Sequence, residues 1–283
     1  MIELYLLEQL DAFHRYGTLS AAAEHLHLAQ PSLSRSMQKL EAILGVILFE
    51  RQKNRLTLNK TGILAAEYAA RLLDNAVEME RRIHLFDKSL HTLTIGSCAP
   101  GPLMKILPPV TGAFSDFTIS STIESEELLL QGLRTAAYQL IILSHPIKSN
   151  DIVCQEYLTE HLYLSVNTFH PAAIYHSIKF EQADGQNFIM YAKVGVWEQI
   201  VRNKMPNARF LKQEYLDAVG ELANSSDLPS FSTNITMEEL PSRKTNRVNI
   251  PFSDKEAQIT FYLIYLKENT ARFKRFLSTI NQE

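Results

Sequence analysis

Basic and amide side chains are concentrated in one stretch near the start of the chain. The formal net charge is −3, yet residues 30–62 hold six lysines and arginines against two acidic residues, a local charge of +4. Such a cluster can attract a nucleic-acid backbone, because affinity depends on the charges at the contact surface. Gln30 and Arg35 can form paired hydrogen bonds with adenine and guanine, and Ser34 can bond bases or phosphate. Alone, a basic cluster is more often a solvated face, so its meaning depends on the fold.

Three helices are predicted to carry these side chains. Apolar residues spaced by threes and fours indicate a helix over 4–16, followed by an alanine-rich helix with Thr18 or Ser20 as its cap. A third helix is predicted from Gln30 to Gly45, with proline in its first turn. The small alanines let the second and third helices cross closely, so that the third can project into a DNA major groove.

The hydrophobic period changes after the third helix. Residues 47–51 and 55–58 are typical of two short strands around a polar tip at 52–54. Three helices followed by a basic β-hairpin predict a winged helix-turn-helix domain over residues 1–58.

A long linker helix is predicted over residues 59–91, with Asn59 as its cap. Its apolar side chains form two rows with a seven-residue repeat, which is the a/d seam of a coiled coil. The rows are Ala69, Ala76, Ile83 and Leu90, and Ala65, Leu72, Met79 and Phe86. Packing within one chain is the alternative, but a seam beside a complete small domain favours a homodimer.

Short apolar strands alternate with helices over residues 92–283, which predicts an α/β domain with a parallel sheet and right-handed crossovers. Strands are expected at 93–96, 117–120, 140–143, 162–166, 188–191, 248–250 and 259–266, and helices at 103–110, 126–133 and 269–280.

The run of residues 20–51 resembles the N-terminal signature of LysR-type transcriptional regulators. Its parts are an alanine-rich second helix, the start Q-P-S-L-S-R of the third helix, the helix end L-E-A-I-L-G and the strand L-F-E-R. The resemblance covers the whole chain and is closest up to about residue 64.

This resemblance implies a sequence-specific DNA-binding transcriptional regulator that forms homodimers or homotetramers and contacts RNA polymerase. By position, the start of the third helix should meet base edges or nearby phosphates, and the wing should meet the backbone or an adjacent minor groove. The residues expected to contact double-stranded DNA are Ser20, Gln30, Pro31, Ser32, Ser34, Arg35, Lys39, Arg51, Lys53 and Arg55.

The resemblance also implies an effector-binding domain like a type II periplasmic binding protein, with a ligand cleft between two α/β subdomains. Subdomain I should comprise about 92–165 and 265–283, and subdomain II about 166–264. Free N–H groups at a helix start favour an anion, so a small organic anion is the expected effector. The expected effector contacts are Ser97, Cys98, Ala99, Pro100, Gly101, Ser144, Tyr191 and Lys193, and an ordinary loop or cap role is about as frequent for any one of them.

Four features depart from the family pattern, one of which is Asn59 in place of the threonine that commonly precedes the linker helix. Ala29 stands where a serine or threonine commonly caps the third helix, and Gln139 stands where an aspartate often precedes the strand. Residues 223–229 replace a glycine-rich stretch. A closed cleft that binds no ligand is therefore the alternative to an effector site.

Other classes of function find little support in the sequence. Two cysteines cannot form a disulfide framework, so a cytoplasmic location fits. We expect no cofactor and no metal, since neither nucleotide-binding loops nor zinc-ligand spacings occur. The apolar runs are shorter than the roughly 18 residues that span a bilayer, and the first residues lack the features of a signal peptide.

Two alternatives to a ligand-controlled regulator remain open. A thiol switch at Cys98 is one, although a lone cysteine is usually a small buried apolar residue. The other is a cytoplasmic solute-binding protein, or an enzyme, whose helix-turn-helix makes only protein contacts. A triad drawn from Ser97, His145 and Asp151 has no supporting motif, so we expect no enzyme activity.

Overall fold

The computed structural model describes residues 1–52, 55–239 and 246–280. Contacts divide the chain into two units, Met1–His84 and Leu85–Glu283. No helix within the described ranges is long and apolar enough to cross a membrane.

The first unit is a winged helix-turn-helix, as the sequence predicted. Its elements are α1 (Leu4–Tyr16), α2 (Leu19–His25), α3 (Gln30–Leu44), β1 (Phe49–Gln52), β2 (Arg55–Leu58) and the long helix α4 (Lys60–Ser89). Strands β1 and β2 pair antiparallel, with Arg51 opposite Leu56. The apolar sides of the helices meet in one core, which includes the fully buried Leu6, Leu10, Leu33 and Leu40.

Side-chain caps define two of the helix starts. Thr18 Oγ1 accepts a hydrogen bond from Ala21 N at 3.2 Å at the start of α2. Asn59 Oδ1 accepts from Gly62 N at 2.8 Å at the start of α4. Ala29 begins α3 in an extended conformation with no side-chain bond, so one N–H group of that first turn lacks the usual cap.

Helix α4 buries few of its side chains. Gly62, Ala66 and Ala69 are its buried residues. Further along, apolar side chains of the seam are exposed, with 59% of Ile83 and 66% of Phe86 accessible. Beyond Ala69 the seam residues Leu72, Met79, Ile83, Phe86 and Leu90 are therefore exposed, and Ala76 is half-buried.

The second unit is built on a mixed sheet. Its strands are β3 (Thr92–Ser97), β4 (Thr118–Ile123), β5 (Leu140–Leu143), β6 (Ile152–Asn167), β7 (Asn187–Tyr191), β8 (Arg209–Gln213), β9 (Ser230–Thr233), β10 (Arg247–Pro251) and β11 (Gln258–Leu266). Among the described residues their order is β4-β3-β5-β11-β6-β9-β7-β8, with β10 also beside β6. The expectation of a parallel sheet holds for β3, β4 and β5 and for β7, β8 and β9, but it is wrong for β6, β10 and β11, which pair antiparallel with their neighbours.

Helices cover the faces of this sheet. They are α5 (Pro100–Ala113), α6 (Glu126–Arg134), α7 (Phe180–Ala183), α8 (Val196–Lys204), α9 (Leu216–Ser225), α10 (Asn234–Glu239) and α11 (Thr270–Ile280). Single 3-10 turns lie at Pro171–Ile174, Lys255–Ala257 and Lys267–Asn269.

Strand β6 links two subdomains. Its residues up to His161 pair with β11, and from Leu162 onward it pairs with β9 and β10. Strand β11 also pairs with β5 in the first subdomain. Residues 258–264 therefore pair with strands of subdomain I, whereas the sequence analysis placed the return to subdomain I at residue 265.

Candidate nucleic-acid interface and effector cleft

Helix α3 presents a polar face at its start. Leu33 and Met37 are buried against the core. Arg35 lies on the opposite side of the helix, since two residues turn an α-helix by about 200°. Arg35 is exposed, as are Gln30, Pro31 and Ser32 next to it, and Ser34 is half-buried.

Lys39 continues the same face but is already paired. Its Nζ donates hydrogen bonds of 2.9 Å to Glu3 and to the hydroxyl of Tyr5. These bonds raise the pKa of Lys39 above its ordinary value. Of the remaining DNA-contact candidates on the helices, Ser20 is exposed on α2.

The wing is held in place by a residue that the sequence interpretation did not select. Glu41 Oε1 accepts the backbone N–H of Leu48 at 2.7 Å and of Phe49 at 3.1 Å. These bonds tie the beginning of β1 to α3. An acidic residue within a basic stretch was the available sequence signal. Arg51 and Arg55 lie in β1 and β2, and Lys53 lies outside the described residues.

The loop expected to bind the effector is closed over by the second subdomain. Ser97, Cys98 and Ala99 are almost completely buried, and Ser97 Oγ donates to Ala99 O at 2.6 Å. Cys98 O accepts the N–H of Val196 at 2.9 Å. The loop's polar groups therefore bond within the protein.

Gly195 makes this close approach possible. Its φ of +62° lies in the left-handed region, and a Cβ there would overlap Cys98 O. Any other residue would be strained and would push the two subdomains apart at this point. Sequence reasoning missed this position, although a glycine shortly after a predicted strand is a recognisable signal.

The start of α5 offers fewer N–H donors than the sequence interpretation assumed. Pro100 and Pro102 have no N–H group. A Cβ at Gly101 would overlap Glu160 Oε1, so the carboxylate lies directly against the first turn. An internal carboxylate thus occupies the place proposed for an anionic effector.

Glu160 is 1% exposed, and Trp197 Nε1 donates to its Oε2 at 2.8 Å. Burial raises the pKa of Glu160 above its ordinary value, although hydrogen bonds from Trp197 and Thr233 oppose the shift. No sequence pattern pointed to Glu160, which is a charged residue on a long strand.

Ser144 is also engaged by a carboxylate. Its N–H and Oγ both donate to Glu126 Oε1, at 2.8 and 2.7 Å. His145 Nδ1 lies 3.1 Å from Glu126 Oε2. Burial, together with the neighbouring Glu126, raises the pKa of the Cys98 thiol well above its usual range. A thiol held protonated in this way is a poor redox nucleophile.

A cavity of about 70 Å³ lies beside the indole of Trp197. Pro100 and Tyr191 line it, whereas the other six expected effector contacts do not, and Lys193 is exposed. The lining residues are Pro100, Glu160, Leu162, Ile189, Met190, Tyr191, Val194, Trp197, Val201, Leu216, Val219, Phe231, Ser232, Thr233 and Thr236. No lysine, arginine or histidine is among these described residues.

The fold and the polar face of α3 define a DNA-binding regulatory protein with a separate cleft-containing domain. Residues 4–63 match the model of bacterial regulatory helix-turn-helix proteins of the lysR family. Residues 89–283 match the LysR substrate-binding domain. The chain belongs to the LysR family.

Curated relatives share moderate identity with the chain. The HTH-type transcriptional regulator CfxR of Cupriavidus necator is 29% identical over 171 residues, which are 58% of this chain and 54% of that protein. The Hca operon transcriptional activator HcaR of Escherichia coli is 29% identical over 192 residues, 66% of this chain and 64% of that protein. The matched segments thus cover less than two thirds of each relative.

Solved structures share the whole fold. A variant of full-length OxyR from Pseudomonas aeruginosa matches 99% of this chain and 94% of its own, with a TM-score of 0.54 and 20% identity. Full-length CbnR in complex with its target DNA matches 99% of both chains, with a TM-score of 0.50 and 20% identity. These likenesses extend through both units of the chain.

Proposed function

We propose that this protein is a sequence-specific transcriptional regulator that binds double-stranded DNA and responds to a small molecule in the cleft of its second unit. It acts in the cytoplasm, without enzyme activity of its own, and affects transcription through contact with RNA polymerase. The observation that carries the proposal is the exposed polar face at the start of α3, on a helix whose other side is buried in a winged helix-turn-helix core.

Base reading is assigned to this face. Gln30 and Arg35 have the donor and acceptor groups that distinguish adenine and guanine in a major groove. Pro31, Ser32 and Ser34 lie beside them and suit nearby bases or phosphates. Since Lys39 is neutralised by Glu3, we assign it a smaller share of DNA affinity than its charge alone predicts.

The wing and the edge of α2 are assigned to the DNA backbone. Arg51, Lys53 and Arg55 add positive charge, which is attracted to the phosphates of any DNA sequence. Ser20 is an exposed hydroxyl on α2. The anchoring of β1 by Glu41 supports this role, because it fixes the hairpin that bears these residues.

Two half-sites require two copies of the domain at a fixed separation. The exposed apolar side chains of α4 support a homodimer or a homotetramer formed through this helix. The second unit supports the sensing role through its cavity beside Trp197, since small-molecule sites are commonly lined by apolar side chains with a few polar groups.

The test of DNA recognition begins with capture of genomic fragments by the full-length protein, followed by sequencing. Affinity for the recovered operator and for a scrambled duplex is then measured by fluorescence anisotropy. Arg35→Ala should reduce discrimination between the two duplexes by about 1–3 kcal/mol. Arg134→Ala removes an exposed charge from the second unit and serves as the matched control.

Salt dependence gives an independent readout. Affinity should fall steeply with salt, with a log–log slope of several units. An operator preference unchanged by Arg35→Ala would refute the assignment of α3. Failure of the native protein to bind any duplex at low salt would favour the rival class, in which the helix-turn-helix contacts only proteins.

A further inference from the structure

We propose that the cavity beside Trp197 binds a compact apolar amine whose protonated nitrogen pairs with the Glu160 carboxylate. This inference deepens the proposed function, on which it rests, by naming the chemical class of the effector.

The charge of the cavity lining is the first argument. Glu160 and Tyr191 are its titratable side chains, and neither a lysine, an arginine nor a histidine is found among the described lining residues. A bound anion would therefore meet a buried carboxylate with no countercharge, which is strongly unfavourable in a low-dielectric site. A bound cation would meet the countercharge that it requires.

The hydrogen-bonding state of the polar lining is the second argument. Ser232 Oγ donates to Asn249 Oδ1 at 2.9 Å, and Thr236 Oγ1 donates to Thr233 O at 3.1 Å. These hydroxyls are thus directed to partners within the protein. Glu160 accepts a hydrogen bond from Trp197, and a carboxylate can accept about four. It therefore retains capacity for an N–H donor from a ligand.

The start of α5 gives the third argument. Pro100 and Pro102 remove two N–H groups from the first turn, and Glu160 covers Gly101. A helix start normally attracts anions, but here the protein's own carboxylate lies against it. The polar end of the cavity is consequently an acceptor site.

The apolar walls of the cavity determine which non-polar group the ligand can carry beside its amine. Aliphatic and aromatic side chains from β6, β7, α8, α9 and β9 line most of the cavity, whose volume is about 70 Å³ and admits only a small apolar group. A single ring or a short alkyl chain is suited to such walls, because its burial removes apolar surface from water.

Trp197 provides the readout, because it is the only tryptophan in the sequence and lines the cavity. The full-length protein at pH 7 is titrated with benzylamine, cyclohexylamine, phenethylamine and hexylamine. Benzoate, cyclohexanecarboxylate, phenylacetate and hexanoate are the matched anions. Fluorescence of Trp197 is corrected against N-acetyltryptophanamide, and thermal stability is recorded in parallel.

We expect saturable binding of at least one amine, with affinity about tenfold or more above that of its matched anion. Glu160→Gln keeps the shape of the side chain and an acceptor for Trp197, and it should abolish the preference for the amine. Glu126→Gln removes a carboxylate that lies outside the cavity lining, and it should leave the preference unchanged.

The outcomes separate this inference from the proposed function. Tighter binding of the anions, or no saturable amine binding at all, would overturn the amine assignment while DNA binding stands. Amine binding that survives Glu160→Gln would also overturn it. Amine binding with no change in operator affinity or footprint would keep the ligand class and refute its role as an effector.

Discussion

Trp197 Nε1 lies 2.8 Å from Glu160 Oε2, and both side chains are buried at the point where the two subdomains meet. The indole supplies one hydrogen bond to a carboxylate that has lost most of its contact with water. Burial raises the pKa of Glu160 more than the hydrogen bond from the neutral indole lowers it, so the pKa lies above its ordinary value.

The raised pKa predicts how stability depends on pH. Below the ordinary carboxyl range Glu160 is neutral in both the folded and the unfolded chain. As pH rises through that range, the unfolded chain releases the proton first, so the folded state loses stability until pH exceeds its own pKa. Glu160→Gln should therefore unfold at a higher temperature than the native protein at pH 7, and this gain should shrink toward pH 4.

Scanning calorimetry across this pH range measures the effect. Glu78→Gln is the control, because the pKa of Glu78 is shifted in the opposite direction: Arg81 and Arg82 lower it to about 2. It should give no gain at pH 7. A benefit of Glu160→Gln that stays constant down to pH 4 would contradict the role of burial.

The uncapped start of α3 predicts a stabilising substitution. Ala29 has φ −73° and ψ 133°, which suits a capping residue; Pro31 has no N–H group, and the N–H of Ser32 donates to the carbonyl oxygen of Ala29 at 2.9 Å rather than to a side chain. Ala29→Ser should stabilise the first unit by about 0.5–1 kcal/mol.

Thr18→Ala removes the existing cap of α2 and should destabilise the same unit by about 1 kcal/mol. Both changes are measured by urea unfolding followed by circular dichroism. Equal stability of Ala29→Ser and the native chain would show that the first turn of α3 already satisfies its N–H groups.

The bonds from Glu41 predict a link between helix packing and DNA affinity. Glu41→Ala leaves the N–H groups of Leu48 and Phe49 without their acceptor, at a cost of about 1–3 kcal/mol in stability. The loosened wing should also reduce affinity for all duplexes and lower the salt slope.

Glu41→Gln retains one acceptor oxygen and should recover most of the loss. Urea unfolding and anisotropy at several salt concentrations measure both effects. A normal salt slope in Glu41→Ala would mean that the wing contributes little to phosphate contact.

The exposed seam of α4 predicts which substitutions weaken oligomerisation. Ile83→Glu places a charge in the seam and should weaken self-association about tenfold or more. Val77 is also apolar and exposed but lies off both rows, so Val77→Glu is the matched control. Sedimentation velocity measures association, and operator affinity should fall with it. Equal effects of the two substitutions on self-association would show that the seam is not the oligomer contact.

Local patterns predicted the first unit well. Helices α1, α3 and α4 have strong 3.6-residue periodicity, and the wing strands lie beside a clear polar tip, so neighbouring residues alone determined these elements. The same holds for the fully apolar strand β5.

The second unit depended more on contacts between distant residues. The first part of β6 was missed, because Glu156, Glu160 and His161 interrupt its apolar pattern and only pairing with β11 makes it a strand. Helices α8, α9 and α10 were also missed. The contact of Glu160 with the start of α5 could not be predicted, because Glu160 reaches that helix from a strand distant in the chain.

The missing glycines at residues 223–229 have a structural counterpart that the sequence did not indicate. Arg247 donates hydrogen bonds to the carbonyl oxygens of Ala223, Leu228 and Ser165. A forked guanidinium from β10 thus satisfies the end of α9. Arg247 is 19 to 82 positions away from these carbonyl groups in the chain, so no local sequence pattern could indicate the hydrogen bonds.

Strand β6 has a mechanical consequence for any signal from the cleft. Glu160 is opposite Ile259 in the first sheet, and two residues later Leu162 is opposite Thr233 in the second. The Glu160 carboxylate therefore lies within two residues of the point where β6 exchanges one set of partner strands for the other. A ligand that contacts Glu160 would therefore act on the one short stretch of backbone that the strands of both subdomains share, whereas a ligand elsewhere in the cleft would reach that stretch only through intervening side chains.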